Sequence, residues 1–308
     1  GRQGVGECGM FRGLSFDDVP NYEGKLDWTC KNINLGLDKL LEQLELYPSI
    51  QFGLEMAFRS LESSNPFLLF PSDFTNGVDS IPINGLVWMG SFDFMNQQIK
   101  EKIEKGFNCI KMKIGAIDFE QELQLLKKIR REYSPDEIEL RVDANGAFDE
   151  KSAIEKLNRL SEMKLHSIEQ PIKPGKYDEM AKLCEASPLP IALDEDLIGI
   201  TSVTDKQKLI QIVRPHYIIL KPTLIGGYKG SEEWISEAET ENIGWWVTSA
   251  LESNIGLNAI SQWTYTLNPS MPQGLGTGEL FTNNIGSPLK VKNGTLAYEQ
   301  QLDWNFKL

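Results

Sequence analysis

Histidine is nearly absent: His166 and His216 are the only two in a chain of 308 residues. A metal centre built on imidazole is therefore excluded. Both histidines stand ahead of the ends of apolar runs, where a structural role is expected. The four cysteines (Cys8, Cys30, Cys109, Cys184) are scattered, with no C-x-x-C pair. That excludes a zinc knuckle or a disulfide framework and leaves reduced thiols in a cytoplasmic chain as the simplest expectation. Basic residues are in deficit, 31 Lys and Arg against 44 Asp and Glu, for a formal charge of −13. The field of such a chain repels nucleic acid and anionic membrane, so neither is expected as a partner. No stretch approaches the roughly 18 consecutive apolar residues of a membrane span. What remains is 41% hydrophobic and 24% charged, the balance of a globular enzyme with ample length for a core. Its chemistry must rest on Lys, Asp and Glu.

The chain opens without a methionine, and Gly1 to Met10 read like the end of a strand, so further residues are expected upstream. Residues 35–46 and 49–61 place apolar side chains at three- and four-residue intervals, which predicts two helices. Residues 64–80 are rich in Ser, Pro, Asn and Asp, with Pro66 and Pro71 as breakers, and mark the best domain boundary. Eight short apolar runs follow: 81–85, 109–114, 138–143, 166–169, 191–194, 217–221, 245–249 and 273–277. Helical periodicity fills most of the gaps, as at 119–129, 152–163 and 231–241. Buried parallel strands alternating with helices predict a (β/α) barrel. An open doubly wound sheet is disfavoured because no run is followed by G-x-G-x-x-G. The tail, 289–298, alternates around Asn293-Gly294, which predicts a hairpin returning to the N-terminal segment.

Catalytic groups of barrels sit at the C-terminal ends of the strands. Read in order, those ends carry Lys111 and Lys113, then Asp143, Glu169, Asp194, Lys221 and Ser249, at steps of 25 to 30 residues. One charged strand end is ordinarily just solvated; five consecutive ones are not accidental. Three carboxylates from adjacent strands suit a hard cation such as Mg²⁺, with salt bridging to the lysines as the alternative. Lys111 and Lys113 fall two apart, so strand alternation turns both to one face. Side by side, the two ammonium groups are expected to weaken each other's hold on protons, which suits a lysine base. Lys221, just before Pro222, is expected across the barrel from Lys113, with pairing to Asp194 as the alternative.

Several segments resemble the enolase superfamily, on its muconate-lactonising branch. They are Gly6-Glu7-Cys8-Gly9, Pro48-Ser49-Ile50-Gln51-Phe52-Gly53, Ile83-Asn84-Gly85, Lys111-Met112-Lys113-Ile114-Gly115 and Val142-Asp143-Ala144-Asn145. Ile168-Glu169-Gln170-Pro171, Leu193-Asp194-Glu195, Lys221-Pro222-Thr223 and Ser249-Ala250-Leu251-Glu252-Ser253 continue the series. The resemblance implies a (β/α)7β barrel over 79–288, an N-terminal α+β capping domain over 1–78, and a tail over 289–308 completing the cap. It implies Mg²⁺ on Asp143, Glu169 and Asp194, with Mn²⁺ as a partial substitute. Lys113 would remove the proton α to a carboxylate and return it to a departing hydroxyl. Lys221 would steady the enediolate by its charge, and Lys111 would hold the carboxylate. A lysine or histidine base working with magnesium is the general pattern of these sites, so those roles are borrowed from the superfamily. Substrate contacts are implied for Lys111, Asn145, Ser249, Ser253, Asn254, Gly13 and Leu14, residues 9–15 forming a mobile lid.

Within that branch the Lys-Pro-Thr and Ser-x-x-Glu-Ser segments imply dehydration of a small-molecule carboxylate, 2-succinyl-6-hydroxy-2,4-cyclohexadiene-1-carboxylate, on the route to menaquinone. An N-succinylamino acid racemase or a cycloisomerase is the alternative within the superfamily, and a non-catalytic carboxylate-binding barrel the alternative outside it. Two departures stand out. Gly276 and Gly278 stand at the end of the eighth run and just beyond it, where dipeptide epimerases offer aspartates, and Gln170 replaces a glutamate found in many relatives.

Overall fold

The computed structural model describes residues 3–306, so the ends of the expected N-terminal and C-terminal segments (1–2 and 307–308) lie outside the described residues. After an irregular start come α1 (Tyr22–Lys31), α2 (Leu37–Gln43) and α3 (Pro48–Glu62). Then follow β1 (Ser80–Pro82), β2 (Gly85–Val87), α4 (Phe92–Glu104), β3 (Cys109–Lys113), α5 (Phe119–Glu132), β4 (Glu139–Asp143) and α6 (Glu150–Ser161). The alternation continues through β5 (Ser167–Glu169), α7 (Tyr177–Ala186), β6 (Ile191–Leu193), α8 (Val203–Val213) and β7 (Tyr217–Leu220). The chain closes with α9 (Pro222–Ile225), α10 (Gly227–Thr240), β8 (Gly244–Val247), α11 (Asn254–Thr266), β9 (Leu289–Lys292) and β10 (Thr295–Tyr298). Among the described residues no helix is long and apolar enough to cross a membrane.

Seven parallel strands form one sheet in the order β2-β3-β4-β5-β6-β7-β8. Alternation sets Ile110, Met112, Leu140, Val142 and Ile168, all buried, in the main apolar core. The polar residues between them take the opposite face. The eighth predicted run contributes no full strand. Pro272 stands just before it, and Gly274, Gly276 and Gly278 recur along it, so only Gln273 and Gly274 bridge the gap. Asn84 N donates to Gln273 O at 2.9 Å, and Gly274 N to Val247 O at 2.8 Å, which closes the barrel by a two-residue seam.

The single run expected over 81–85 is divided between two sheets. β2 pairs with β3, whereas β1 pairs antiparallel with β10, which pairs with β9 across the Asn293-Gly294 turn. The hairpin is as predicted, but its partner is not. The tail pairs with β1 instead of the N-terminal segment, because Gln3 to Met10 forms no strand. Gly4-Val5-Gly6-Glu7-Cys8-Gly9 does spell G-x-G-x-x-G, yet it opens no helix. It threads against α3 so closely that a Cβ on Gly6 would strike the Gly53 carbonyl. The tail also covers residues 67–75: Trp304 stacks on Phe67 at 4.2 Å, and Gln300 Nε2 donates to Thr75 O at 3.2 Å.

The N-terminal helices have a small core of their own, in which Tyr22, Leu40, Leu44, Ile50 and Leu54 are buried together. They dock on the barrel through Glu55 of α3, whose carboxylate accepts Tyr228 N at 2.5 Å and Lys229 N at 3.0 Å. These are first-turn amides of α10, which have no partner inside the helix. Burial pushes the Glu55 carboxyl up to about 7 in spite of both donors. Its ordinary value is 4.5, so between these values the folded chain holds a proton that the unfolded chain has released. The contribution of Glu55 to stability therefore falls as pH rises through that window. Glu55→Gln is expected to flatten the fall, measured as urea midpoints at about pH 5 and about pH 7.5. An unchanged slope would remove Glu55 as its source.

Candidate active site

The parallel register places the charged strand ends side by side. Lys113 of β3 lies opposite Asp143 of β4, and Asp143 opposite Glu169 of β5; Asp194 directly follows β6 and Lys221 directly follows β7. Lys111 Nζ lies 3.1 Å from Asp143 Oδ2 and 2.7 Å from Glu169 Oε2. Lys113 Nζ lies 2.8 Å from Asp143 Oδ2 and donates to Asn145 Oδ1 at 2.6 Å. Lys221 is paired with Asp194. The structure thus brings together all the predicted lysines and carboxylates, and it does so as ion pairs. The salt bridging raised as the alternative for the carboxylates, and the Asp194 pairing raised for Lys221, are both realised in this structure.

The electrostatics follow from that pairing. Burial works to raise the Asp143 carboxyl, but Lys111 and Lys113 outweigh it and hold Asp143 well below the usual carboxylate range. Glu169 goes the other way, raised first by burial and then by the Asp143 charge. Asp194 is likewise raised by burial. For Lys111 the expectation of a weakened hold on its proton fails. Burial does favour its neutral form, yet the facing Asp143 and Glu169 win and keep it above its ordinary value. Two facing carboxylates at contact distance outweigh one neighbouring ammonium.

The cluster opens into a cavity of about 310 Å³. Of the predicted contacts, Leu14, Lys111, Lys113, Asn145, Lys221 and Ser249 line it. Ser249 shares a hydrogen bond of 2.5 Å with Thr277. Gly13, Ser253 and Asn254 are not in the lining. Gly13 N is held by Asp18 at 2.7 Å, and Ser253 caps α11 while donating to Glu7 Oε2 at 2.6 Å. Asn254 Nδ2 donates to Ile285 O at 2.5 Å. The residue types were suitable for substrate, but Ser253 Oγ and Asn254 Nδ2 are already engaged in bonds within the protein, while Asn254 Oδ1 is buried without a partner. Reading the sequence missed Glu195, which accepts from Asn145 Nδ2 at 2.7 Å and so ties Asn145, the partner of Lys113, to the segment after Asp194. Its signal was available, since it follows Asp194 directly. His166 and His216 are structural as expected: His166 packs on Tyr217 and Trp246, and His216 Nδ1 accepts from Ile191 N at 3.2 Å. All four cysteines are free.

A second cavity, of about 330 Å³, lies between Gln51 and Leu41 of the N-terminal helices and Lys206, Leu224 and Glu233 of the barrel side. Its buried Lys206 is already paired with Glu233 at 2.6 Å, and the other charged residues of its lining, Glu42, Glu45 and Lys229, do not stand at barrel strand ends. The cavity at the strand ends is the one that the cluster of three lysines and three carboxylates faces.

Comparison with known proteins places the chain in a family. Residues 95–301 match the family described as enolase C-terminal domain-like. An o-succinylbenzoate synthase from Desulfotalea psychrophila is 52% identical over 251 residues, covering 82% of this chain and 68% of that protein. The chain belongs to the o-succinylbenzoate synthase family of the enolase superfamily. That membership makes it an enzyme of the lyase class. The crystal structure of MenC from Desulfotalea psychrophila superimposes with a TM-score of 0.87 at 43% identity, over 96% of this chain and 91% of that one. An L-amino acid-D/L-Glu epimerase from Francisella philomiragia is 30% identical over 170 residues, covering 54% of this chain and 46% of that protein.

For an enolase-superfamily site the implied metal is Mg²⁺. Among the described residues no group of three or more Asp, Glu, His or Cys side chains stands ready around one point, since the carboxylates turn towards the lysines. The donors nevertheless fit. All are hard oxygens, and Glu169 Oε1 is buried with no hydrogen-bond partner, an acceptor left over after Lys111 has taken Oε2.

Proposed function

We propose that this chain dehydrates 2-succinyl-6-hydroxy-2,4-cyclohexadiene-1-carboxylate to o-succinylbenzoate, a step of menaquinone biosynthesis. The observation that carries this reading is the meeting of Lys113, Asp143, Glu169, Asp194 and Lys221 at the ends of five consecutive barrel strands. Asp143, Glu169 and Asp194 would hold Mg²⁺, with Mn²⁺ as a partial substitute. Bound there, the ion supplies concentrated positive charge to a substrate carboxylate.

The chain's own groups do the rest. A proton α to a carboxylate is very weakly acidic, so its removal needs a placed base and nearby cations. Lys113 Nζ takes that proton, while Asn145, 2.6 Å away, holds the side chain in place. Lys221 Nζ, on the far side of the cluster, balances the enediolate charge. Lys113 then returns the proton to the departing 6-hydroxyl, and aromatisation of the ring drives the loss of water. Phe11 and Leu14 line the cavity from the N-terminal segment, where closure over a bound substrate would exclude solvent.

The competing reading is epimerisation, given the resemblance to a D/L-Glu epimerase. It lacks a carboxylate where a dipeptide ammonium would need one: Gly276 lines the cavity, and Gly278 packs against Asn254 and Leu257. Purified enzyme with Mg²⁺ is expected to turn over the cyclohexadiene substrate and to leave L-Ala-L-Glu unchanged. Efficient epimerisation without dehydration would reverse the choice.

A further inference from the structure

The cavity continues beyond the lysine–carboxylate cluster, past the edge of β2. Leu86 of β2 lies in register with Lys111 and faces the cluster, whereas Gly85 faces the other way. A Cβ on Gly85 would press on the stems of Phe107 and Lys102, so its absence lets both pack against the strand. Lys102, Phe107, Gly276 and Leu280 all line the same cavity as Lys113. This is the side on which the barrel is closed only by the Gln273–Gly274 seam. Gly85 pairs with Ile110, three residues and about 10 Å before Lys113 along β3.

Among the described residues, the basic groups lining the cavity are Lys102, Lys111, Lys113 and Lys221. The last three are ion-paired with Asp143, Glu169 or Asp194. Lys102 is the one with no ion-pair or hydrogen-bond partner among the described residues. Its ammonium sits 5.3 Å from the centre of the Phe107 ring. Burial, and then the like charge of Lys105, hold it below its ordinary value against the pull of Glu101 and Glu279. A partly desolvated cation that forms no ion pair, at the end of the cavity walled by Leu86, Phe107 and Leu280, is a site for an anion.

We propose that Lys102 is a specificity-determining residue that binds the second carboxylate of the substrate, the one at the end of the succinyl arm. The proposal rests on the dehydration reading for the identity of that arm. The first carboxylate lies at the cluster, the arm runs over Leu86 and Phe107, and its terminal carboxylate meets Lys102 Nζ beside the seam. A substrate with an uncharged arm would leave the ammonium unanswered and lose that contact.

The test compares wild type, Lys102→Met and Lys102→Arg, all with Mg²⁺. Lys102→Met is expected to raise KM about 10- to 100-fold, the loss of one charge-assisted contact, with kcat changed only a few-fold. Lys102→Arg is expected to restore most of the KM. In binding measurements, wild type should prefer o-succinylbenzoate to 2-butanoylbenzoate, which lacks the terminal carboxylate, and Lys102→Met should bind the two alike. An active wild type with an unchanged KM in Lys102→Met overturns the role of Lys102 alone. Equal weakening of both ligands does so too, since the lost contact would then not be to the second carboxylate. A wild type that prefers o-succinylbenzoate through Lys102 yet fails to dehydrate the cyclohexadiene overturns the proposed reaction and supports the recognition.

Discussion

Lys113→Ala is expected to abolish both dehydration and exchange of the substrate's α-proton with solvent deuterium. No neighbour can replace the base. Lys111 shares its strand face but is committed to Asp143 and Glu169, with a proton held more tightly than usual. Lys221 is tied to Asp194 across the cluster. Lys221→Ala removes charge stabilisation instead of the transferring group, and losing one aimed electrostatic donor costs roughly 10²–10³ in kcat. The two variants should also differ in stability. After Lys113→Ala, Asp143 keeps Lys111 at 3.1 Å, so its charge remains compensated. After Lys221→Ala, the buried Asp194 loses its ion-pair partner. Breaking a buried pair from one side costs about 3–5 kcal/mol, offset where a bound cation takes the lost partner's place. The measurements are dehydration rate, deuterium exchange and thermal melting for each variant, with metal content checked separately. Near-normal dehydration by Lys113→Ala would refute the mechanism.

The barrel and its charged strand ends were legible because both rest on short-range regularities. Buried parallel strands are continuous apolar runs, and a charged residue at the end of each run is visible without any knowledge of contacts. What was not legible depends on partners far along the chain. Nothing local shows that 81–85 is shared between two sheets, although Pro272 and the recurring glycines did signal that the last run is a weak strand. Nor does a strand-like alternation at 289–298 say which edge the hairpin will meet. Ser253 and Asn254 illustrate the same limit within the site. Their side chains were suitable for substrate, but Glu7, 246 residues away in sequence, and Ile285 hold them in structural bonds. Lys111 shows it for charge, since the strand pattern placed both the adjacent lysine and the carboxylates but not the contact distances that let Asp143 and Glu169 outweigh Lys113.

Removing Mg²⁺ is expected to abolish turnover while leaving the protein folded. The reason lies in the charges of the cluster. Asp143, Glu169 and Asp194 are matched by Lys111, Lys113 and Lys221, so the metal-free site is already compensated by ion pairs. Stability therefore does not require the cation. Catalysis does, because lysines engaged with protein carboxylates have less charge to offer a substrate that becomes more negative as its α-proton leaves. The unpartnered Glu169 Oε1 marks where a hard oxygen is left over for a cation. Chelation followed by metal analysis should yield protein with an unchanged far-ultraviolet spectrum and no dehydration. Added Mg²⁺ should restore the rate fully and Mn²⁺ in part. Glu169→Gln should weaken Mg²⁺ binding measured by calorimetry, a readout independent of turnover. Full turnover in excess chelator, with metal removal verified, would overturn the assignment of these carboxylates. So would Mg²⁺ binding by Glu169→Gln as tight as that of the wild type, since a ligand cannot lose its charge without loosening a hard cation.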